Sequence, residues 1–339
     1  SSLMAMMPSL RKFLNWLRRI LQSKPAGSVS KRSGGTVRKT MSNFPTKRST
    51  EPGKWPPGRH IPIFCSEREW TYNFHTHTHY CDGKKSPGKY ARYARESGLT
   101  VLGFSGHAPI PYPPGAEDLG IRWCTPLDTL FHYLETVREV RNEVSGELDV
   151  KIGLEIDFIP HVTGPHHPMF RILGLDYVIG SVHVAGQRSD GTMWTVDCKP
   201  EKFAAGLDEI YGGSVEDLVR EYYRRIREMV IRQPPDIIGH LDIVKKNNKA
   251  LNFLDESADY YREAVNETLD TVAGSGCIVE VNTGGIARGF ADEPYPSRFI
   301  IERCRELGIP MMINSDAHHP KKLTESFDFA RDLLRAAGY

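Results

Sequence analysis

The sequence lacks long apolar runs, paired cysteine motifs and a strong net charge. None of its 339 residues lies in a run of about 18–20 apolar positions, so we expect no membrane span. Its six cysteines never occur as CxxC, which indicates free thiols in a reducing compartment, and we expect a cytoplasmic protein. The phosphate-binding loop GxxxxGK[ST] is missing as well. Because no cysteines are spaced as a CxxC metal-binding pair, any metal chemistry must use histidine and carboxylate side chains.

The net charge of +2 is the sum of two unlike segments. Residues 1–60 hold 13 Lys and Arg against one acid, whereas residues 61–339 hold 31 against 41. This asymmetry predicts a basic, largely disordered segment ahead of one globular domain at 61–339. Apolar residues between 9 and 22 recur at helical spacing and predict an amphipathic helix. The segment is interpreted as a targeting presequence, a helix on an anionic membrane surface, or sequence upstream of a later start such as Met41.

From about residue 70, short β-branched or apolar runs alternate with longer amphipathic ones. This alternation predicts a parallel α/β sheet closed as a barrel in a single domain. The predicted strands are 71–75, 101–105, 150–157, 177–182, 237–240, 278–282 and 311–315. The predicted helices lie near 87–97, 126–144, 215–232, 256–274, 297–307 and 321–336. Segment 183–214 shows no clear pattern, and we expect an active-site loop or lid there.

Side chains that bind metals recur where the predicted strands end. The carboxyl ends of all strands meet on one face of a parallel barrel, so residues distant in sequence converge there. Six of the seven predicted strands deliver such a side chain. The residues are His75, His77, His107, Glu155, His183, His240, Asp316 and His318.

Two pairs among these residues are spaced by two positions. His75 and His77 share one side of an extended chain because strand side chains alternate with period two, and Asp316 and His318 repeat the spacing. Each pair can therefore hold one ion. A mixture of imidazole and carboxylate favours Zn, Mn or Fe, whereas Mg prefers mostly oxygen ligands.

The order of these motifs resembles the PHP (polymerase and histidinol phosphatase) superfamily over about residues 70–338. The motifs that carry the resemblance are His75-Thr76-His77 with Asp82-Gly83, Ser105-Gly106-His107, Gly153-Leu154-Glu155, Ser181-Val182-His183, Gly239-His240-Leu241-Asp242 and Ser315-Asp316-Ala317-His318. Segments 238–246, 280–289 and 293–297 are similar to the stand-alone histidinol-phosphatase branch. The resemblance implies a distorted, TIM-like (β/α)7 barrel with three divalent metal ions. It does not extend to residues 1–60.

The resemblance also implies which residues bind each ion. The implied sets are His75, His77, Glu155 and Asp316 for the first metal, Glu155 with His183 and His240 for the second, and Asp82, His107 and His318 for the third. One position stays open, because the third-metal ligand that follows the first motif is Asp or His in the family. The text Cys81-Asp82-Gly83 favours Asp82 over the nearby His79.

Further residues are candidates for contacts with a phosphate ester. Arg288, on a glycine-rich turn, is expected to grip phosphate in a fork, assisted by Lys245 or Lys246. Asp242 or a metal-bound water is expected to protonate the leaving alcohol. Asn282 is expected to bind the substrate or, with Glu280, to orient the site. The loop 109–123 is expected to shape the substrate end of the pocket.

Two functions follow from the resemblance. The first is hydrolysis of L-histidinol phosphate in histidine biosynthesis by a metal-activated hydroxide. The second is a phosphoesterase or exonuclease of the same family that acts on nucleotides or single-stranded nucleic acid, with the basic segment as an anchor. The net charge of −10 in residues 61–339 favours a small amino-bearing substrate over a nucleic-acid partner. The sequence makes no prediction of the oligomeric state.

Overall fold

The computed structural model of the protein describes residues 71–111 and 121–339. The basic segment 1–60 with its predicted helix lies outside the described residues. The same is true of residues 61–70 of the predicted domain and of residues 112–120 in the predicted pocket loop. These expectations therefore stay predictions.

Seven parallel strands form the main sheet of the described residues, in the order β1-β2-β3-β4-β7-β8-β9. They are β1 (Tyr72–Asn73), β2 (Val101–Phe104), β3 (Asp149–Asp157), β4 (Tyr177–Ser181), β7 (Ile237–Ile238), β8 (Ile278–Asn282) and β9 (Met311–Asn314). A bridge between Thr76 and Ala317 joins the two edges, where the His77 N–H donates to the Ala317 carbonyl at 3.0 Å. The sheet is thus a nearly closed barrel, and the predicted α/β fold is confirmed.

The strand sequences are apolar runs because both faces of the sheet are covered by other parts of the protein. β8 and β9 are buried along their whole length, as expected for a parallel sheet with helices around it. Tyr177, at the start of β4, fills the interior at the opposite end from the strand carboxyl ends. Its ring packs edge-on against Phe74 at 5.1 Å between centroids, and its hydroxyl donates to the Phe74 carbonyl at 2.5 Å.

Gly153 provides the space that the Tyr177 ring occupies. A Cβ at Gly153 would lie 2.5 Å from Cζ of Tyr177, and that ring is held by its hydrogen bond. We expect Gly153→Ala to lower the free energy of unfolding by about 1–3 kcal/mol, measured by urea denaturation. Gly274→Ala is the control, because a Cβ there meets nothing within 4 Å and φ is −89°. Equal stability of the two variants would contradict this packing.

Ten helices surround the sheet within the described residues. They are α1 (Pro87–Glu96), α2 (Leu130–Glu143), α3 (Pro168–Arg171), α4 (Pro200–Tyr211), α5 (Val215–Arg232), α6 (Asn248–Leu251), α7 (Asp259–Ala273), α8 (Gly284–Ala287), α9 (Arg298–Glu306) and α10 (Phe327–Ala336). α5 begins at the cap Ser214, whose hydroxyl accepts from the Asp217 N–H, and its apolar face is buried. Short 3₁₀ turns lie at Ile243–Lys245 and Pro320–Lys322. The six predicted helices are confirmed, although the one predicted from 126 begins at Leu130 and the one predicted from 321 begins at Phe327.

The prediction of an unstructured segment at 183–214 is wrong. The segment contains the antiparallel hairpin of β5 (Val184–Gln187) and β6 (Met193–Thr195), followed by α4. Strands of three or four residues are too short to show an alternating pattern. Trp194 of β6 is buried against Phe203 of α4, with 5.3 Å between ring centroids, so a tertiary contact holds the segment in place.

Two further expectations concern the described residues. No helix between residues 71–111 or 121–339 has the length and apolar character to cross a membrane. The cysteines in those ranges are free thiols, as predicted: Cys81, Cys124, Cys198, Cys277 and Cys304.

Candidate metal centre

Histidine and carboxylate side chains form a buried cluster at the carboxyl ends of the strands. Four groups within it have donor atoms that all lie within 4.8 Å of one another. The groups are His75–His77–Asp316, Glu155–His183–His240, His77–Asp82–His107–His318 and His107–Asp157–His183. The described residues thus contain clusters able to hold metal ions, and they include every residue predicted as a ligand.

The first group joins the two ends of the sheet. His75 and His77 follow β1, and Asp316 follows β9, across the bridge that nearly closes the barrel. The Nε2 atom of His77 lies 3.1 Å from Oδ1 of Asp316, and that of His75 lies 3.2 Å from Oε2 of Glu155. Asp316 has φ of 51°, a left-handed conformation that is uncommon outside glycine and that recurs at functional sites.

The second group gathers Glu155 with the histidines that follow β4 and β7. The Nε2 atoms of His183 and His240 face each other at 3.1 Å, and Oε1 of Glu155 lies 3.0 Å from Nε2 of His240. All three residues are buried. Two imidazole nitrogens and a carboxylate oxygen that converge in this way are suited to one cation.

The third group is the most exposed part of the cluster. Oδ2 of Asp82 lies 3.0 Å from Nε2 of His318, and Oδ1 lies 3.8 Å from Nε2 of His107. The alternative residue, His79, is exposed, and its Nδ1 lies 3.4 Å from the Lys85 carbonyl, outside the four groups. The structure therefore brings Asp82 rather than His79 to the cluster.

The donor atoms fit a set of cations. Four of them are buried without a hydrogen-bond partner: Nε2 of His75, Nε2 of His77, Nδ1 of His107 and Oε2 of Glu155. Buried polar atoms are normally paired, so unpaired atoms that face one another need a further partner. Since these atoms are all imidazole nitrogens or carboxylate oxygens, a cation suits them.

Two carboxylates, Glu280 and Asp157, orient histidines of the cluster. Nδ1 of His75 lies 2.9 Å from Oε2 of Glu280, and Nδ1 of His183 lies 2.7 Å from Oδ1 of Asp157. A proton on each Nδ1 leaves the Nε2 lone pair directed into the cluster, which is the usual arrangement of metal-binding histidines. Sequence reasoning missed Asp157 in this role. The same two-residue spacing that linked His75 to His77 also links Glu155 to Asp157.

The electrostatics of the cluster favour positive charge inside it. Burial would raise the pKa of Glu155, but the imidazoles of His107 and His75 hold it well below its ordinary value. Burial would also raise the pKa of Asp316, which Arg288 and His75 keep low. Burial and the imidazoles of His318 and His107 lower the pKa of His77 to about 3. Ionised carboxylates beside a neutral imidazole form a donor set for cations.

Arg288 lies at the edge of this cluster. Its Nη2 donates to Oδ2 of Asp316 at 2.9 Å, and its Nη1 lies 2.9 Å from Nδ1 of His318 and donates to the Asp316 carbonyl at 3.1 Å. The side chain is about 29% exposed, so part of it faces solvent beside the cluster. The structure thus brings Arg288 to the site, as the sequence indicated.

Asp242 and Lys245 lie apart from the cluster. Oδ2 of Asp242 accepts from the Ser297 N–H at 2.9 Å and lies 3.1 Å from Nζ of Lys245. Lys245 also contacts Glu293 at 2.7 Å and Glu256 at 3.3 Å. Burial raises the pKa of Asp242 to about 6, against the lowering effect of Lys245. This buried ion network engages both side chains, and Asp242 lies outside the four donor groups.

The two predicted substrate contacts, Asn282 and Lys246, have protein partners instead. Asn282 is buried, donates to Oε1 of Glu280 at 2.8 Å and accepts from the Gly284 N–H. Nζ of Lys246 donates to the Asp197 carbonyl and lies 4.8 Å from the centre of the Phe290 ring. Asn282 therefore supports Glu280, and Lys246 holds the segment that follows β6.

Trp123 borders the cluster from the end of the predicted pocket loop. Its ring centroid lies 6.3 Å from that of His183 and 6.4 Å from that of His107. Its indole Nε1 is buried without a hydrogen-bond partner. The described end of the loop is therefore close enough to line the site.

Comparison with known proteins identifies relatives that cover most of this chain. The chain matches the PHP domain family over residues 73–284. A curated protein of Deinococcus radiodurans, named "Probable histidinol-phosphatase", is 35% identical over 268 residues, covering 78% of this chain and 92% of that protein. A Bacillus subtilis protein named "Histidinol-phosphatase" is 26% identical, covering 72% and 92%.

A solved structure has the same fold. It is the histidinol phosphate phosphatase of Lactococcus lactis in complex with Zn, L-histidinol and phosphate. The TM-score is 0.60 at 21% identity, covering 80% of this chain and 94% of that chain. At this identity the likeness supports the barrel fold.

Proposed function

Since the chain belongs to the PHP domain family, we propose that it is a metal-dependent phosphomonoesterase that hydrolyses L-histidinol phosphate to L-histidinol and phosphate. The observation that carries the proposal is the set of buried nitrogen and oxygen atoms without hydrogen-bond partners in the cluster. The substrate is inferred from the relatives named histidinol-phosphatase, one of which is 35% identical over 92% of its length. This reaction places the protein in histidine biosynthesis.

The proposed centre holds three divalent ions, chosen from Zn, Mn and Fe. The ligand sets are His75, His77, Glu155 and Asp316; Glu155, His183 and His240; and Asp82, His107 and His318. When bound, such cations neutralise the charge of the phosphoryl group and lower the pKa of water towards neutrality. The Zn in the Lactococcus lactis structure makes zinc the first ion to test.

The chain's own residues fix the geometry of the reaction. Glu280 and Asp157 hold the rings of His75 and His183 so that each Nε2 faces the centre. Arg288 fixes Asp316 through Nη2, and its partly exposed side chain lies at the edge of the cluster, where its remaining N–H groups can bind phosphate oxygens. Because Asp242 and Lys245 are held in a separate ion network, we assign them a structural role and leave protonation of the leaving alcohol to solvent water.

Phosphate release from three substrates tests the proposal. The metal-loaded chain, with and without residues 1–60, is given L-histidinol phosphate, phenyl phosphate and single-stranded DNA. We expect kcat/KM for histidinol phosphate to exceed that for phenyl phosphate at least about tenfold, which corresponds to about 1.4 kcal/mol. A smaller preference would contradict the proposed substrate. DNA cleavage that depends on residues 1–60 would instead support the nuclease alternative.

A substitution at Arg288 tests its contact with phosphate. Lys keeps the charge but cannot reproduce the fork that now joins Asp316 and His318. We expect Arg288→Lys to lower kcat/KM about 10- to 100-fold and to weaken inhibition by inorganic phosphate by a similar factor. Metal content should not change. The control is Arg298→Lys, whose side chain is exposed and pairs only with Glu302 among the described residues. Unaltered phosphate inhibition would show that Arg288 acts only on Asp316.

A further inference from the structure

The organic part of the proposed substrate carries a positive charge close to the phosphate. In L-histidinol phosphate an ammonium group sits on the carbon next to the one that bears the ester oxygen. An ammonium that leaves water next to a cationic centre needs an opposite charge from the protein. A carboxylate near the cluster, but not engaged with it, would supply this charge.

Most carboxylates around the cluster are already engaged with other protein groups. Glu155, Asp316 and Asp82 belong to the cluster, and Asp242 belongs to the network of Lys245. Glu280 and Asp157 each accept from the ring of one histidine. Among the described residues, one further acid follows the residue that is hydrogen-bonded to the His183 carbonyl, and that acid is Asp197.

Asp197 is attached directly to the strand end that carries His183. The N–H of the preceding residue, Val196, donates to the His183 carbonyl at 3.0 Å. Both His183 and His240 act on the Asp197 carboxylate electrostatically. The side chain is about 29% exposed, so part of it can be reached from outside the protein.

The backbone around Asp197 is held on both sides. Nδ2 of Asn247 donates to the carbonyls of Val196 at 3.2 Å and Cys198 at 3.0 Å, and Nζ of Lys246 donates to the carbonyl of Asp197 itself. Its carboxylate accepts a hydrogen bond from the side chain of Thr195, and Nζ of Lys246 lies 4.0 Å from Oδ2, beyond hydrogen-bond distance. A fixed carboxylate with spare acceptor capacity is suited to bind a further cationic donor.

We propose that Asp197 binds the ammonium group of the phosphate ester and so sets the preference for amino-bearing substrates. The inference rests on the proposed function and adds a residue that determines specificity. Asp197 is a binding residue, and it takes no part in breaking the phosphate ester bond.

The test compares two esters that differ only in the amino group. They are L-histidinol phosphate and its deamino analogue, 3-(imidazol-4-yl)propyl phosphate. We expect Asp197→Asn to lower kcat/KM for histidinol phosphate about 10- to 100-fold, mainly through KM, and to change the value for the deamino ester less than about threefold. Asp190→Asn is the matched control, since Asp190 lies in the exposed turn of the hairpin that precedes Asp197 and its side chain, among the described residues, is hydrogen-bonded only to Thr192.

A second readout does not depend on turnover of the natural substrate. L-histidinol should inhibit phenyl phosphate hydrolysis by the unaltered protein and at least about tenfold more weakly in Asp197→Asn, with partial recovery in Asp197→Glu. An equal loss on both esters, or unaltered inhibition, would overturn the role of Asp197. If the unaltered protein releases phosphate from phenyl phosphate but not from histidinol phosphate, the proposed function itself fails.

Discussion

Replacing His77 by alanine removes bound metal and phosphatase activity together. His77 belongs to two of the four donor groups, because its Nε2 faces Asp316 and Glu155 while its Nδ1 lies 3.6 Å from Asp82. One substitution therefore removes a proposed ligand of the first ion and a donor atom that borders the third ion site. Since loss of a supporting hydrogen bond alone costs about 10- to 100-fold in metal affinity or activity, we expect a loss beyond about 100-fold here.

Elemental analysis and phosphate release on the same preparation measure this effect. Asp316→Ala should behave in the same way, because Oδ1 of Asp316 faces both His75 and His77. His132→Ala is the matched control, since His132 is exposed on α2 and contacts Tyr80 rather than the cluster. Full metal content in His77→Ala and Asp316→Ala would show that the proposed ligand sets are wrong.

Replacing Glu280 by glutamine weakens both the fold and the centre. Its two oxygens face four partners, which are Nδ1 of His75, the His240 N–H and the side-chain amides of Asn282 and Asn314. A glutamine would place an NH₂ group against some of these donors inside a fully buried site. We expect the free energy of unfolding to fall by about 3 kcal/mol and metal affinity to fall about 10- to 100-fold.

Urea denaturation and metal titration measure the two effects of Glu280→Gln. The control is Glu267→Gln, since Glu267 is exposed on α7 and pairs only with Arg227 among the described residues. A variant that loses stability but binds metal normally would show that Glu280 supports the barrel without orienting His75.

The positions of the strands were predictable because their pattern is local. β-branched and apolar runs mark strands that are buried on both faces, and all seven parallel strands appear at the predicted places. The hairpin of β5 and β6 was missed since its strands have four and three residues. Contacts such as that of Trp194 with Phe203 hold it, and these contacts leave no periodic trace in the sequence.

The sequence by itself determined which residues could meet at the site. Carboxyl ends of parallel strands share one edge, so His75, Glu155 and His183 had to converge once the strands were recognised. Only the tertiary structure decided what each remaining polar side chain does. It pairs Lys245 with Glu256 and Glu293. It also places Asp197 near His183, with Nζ of Lys246 4.0 Å from its carboxylate. Strand positions follow from local periodicity, whereas ion pairing depends on distances between segments far apart in the chain.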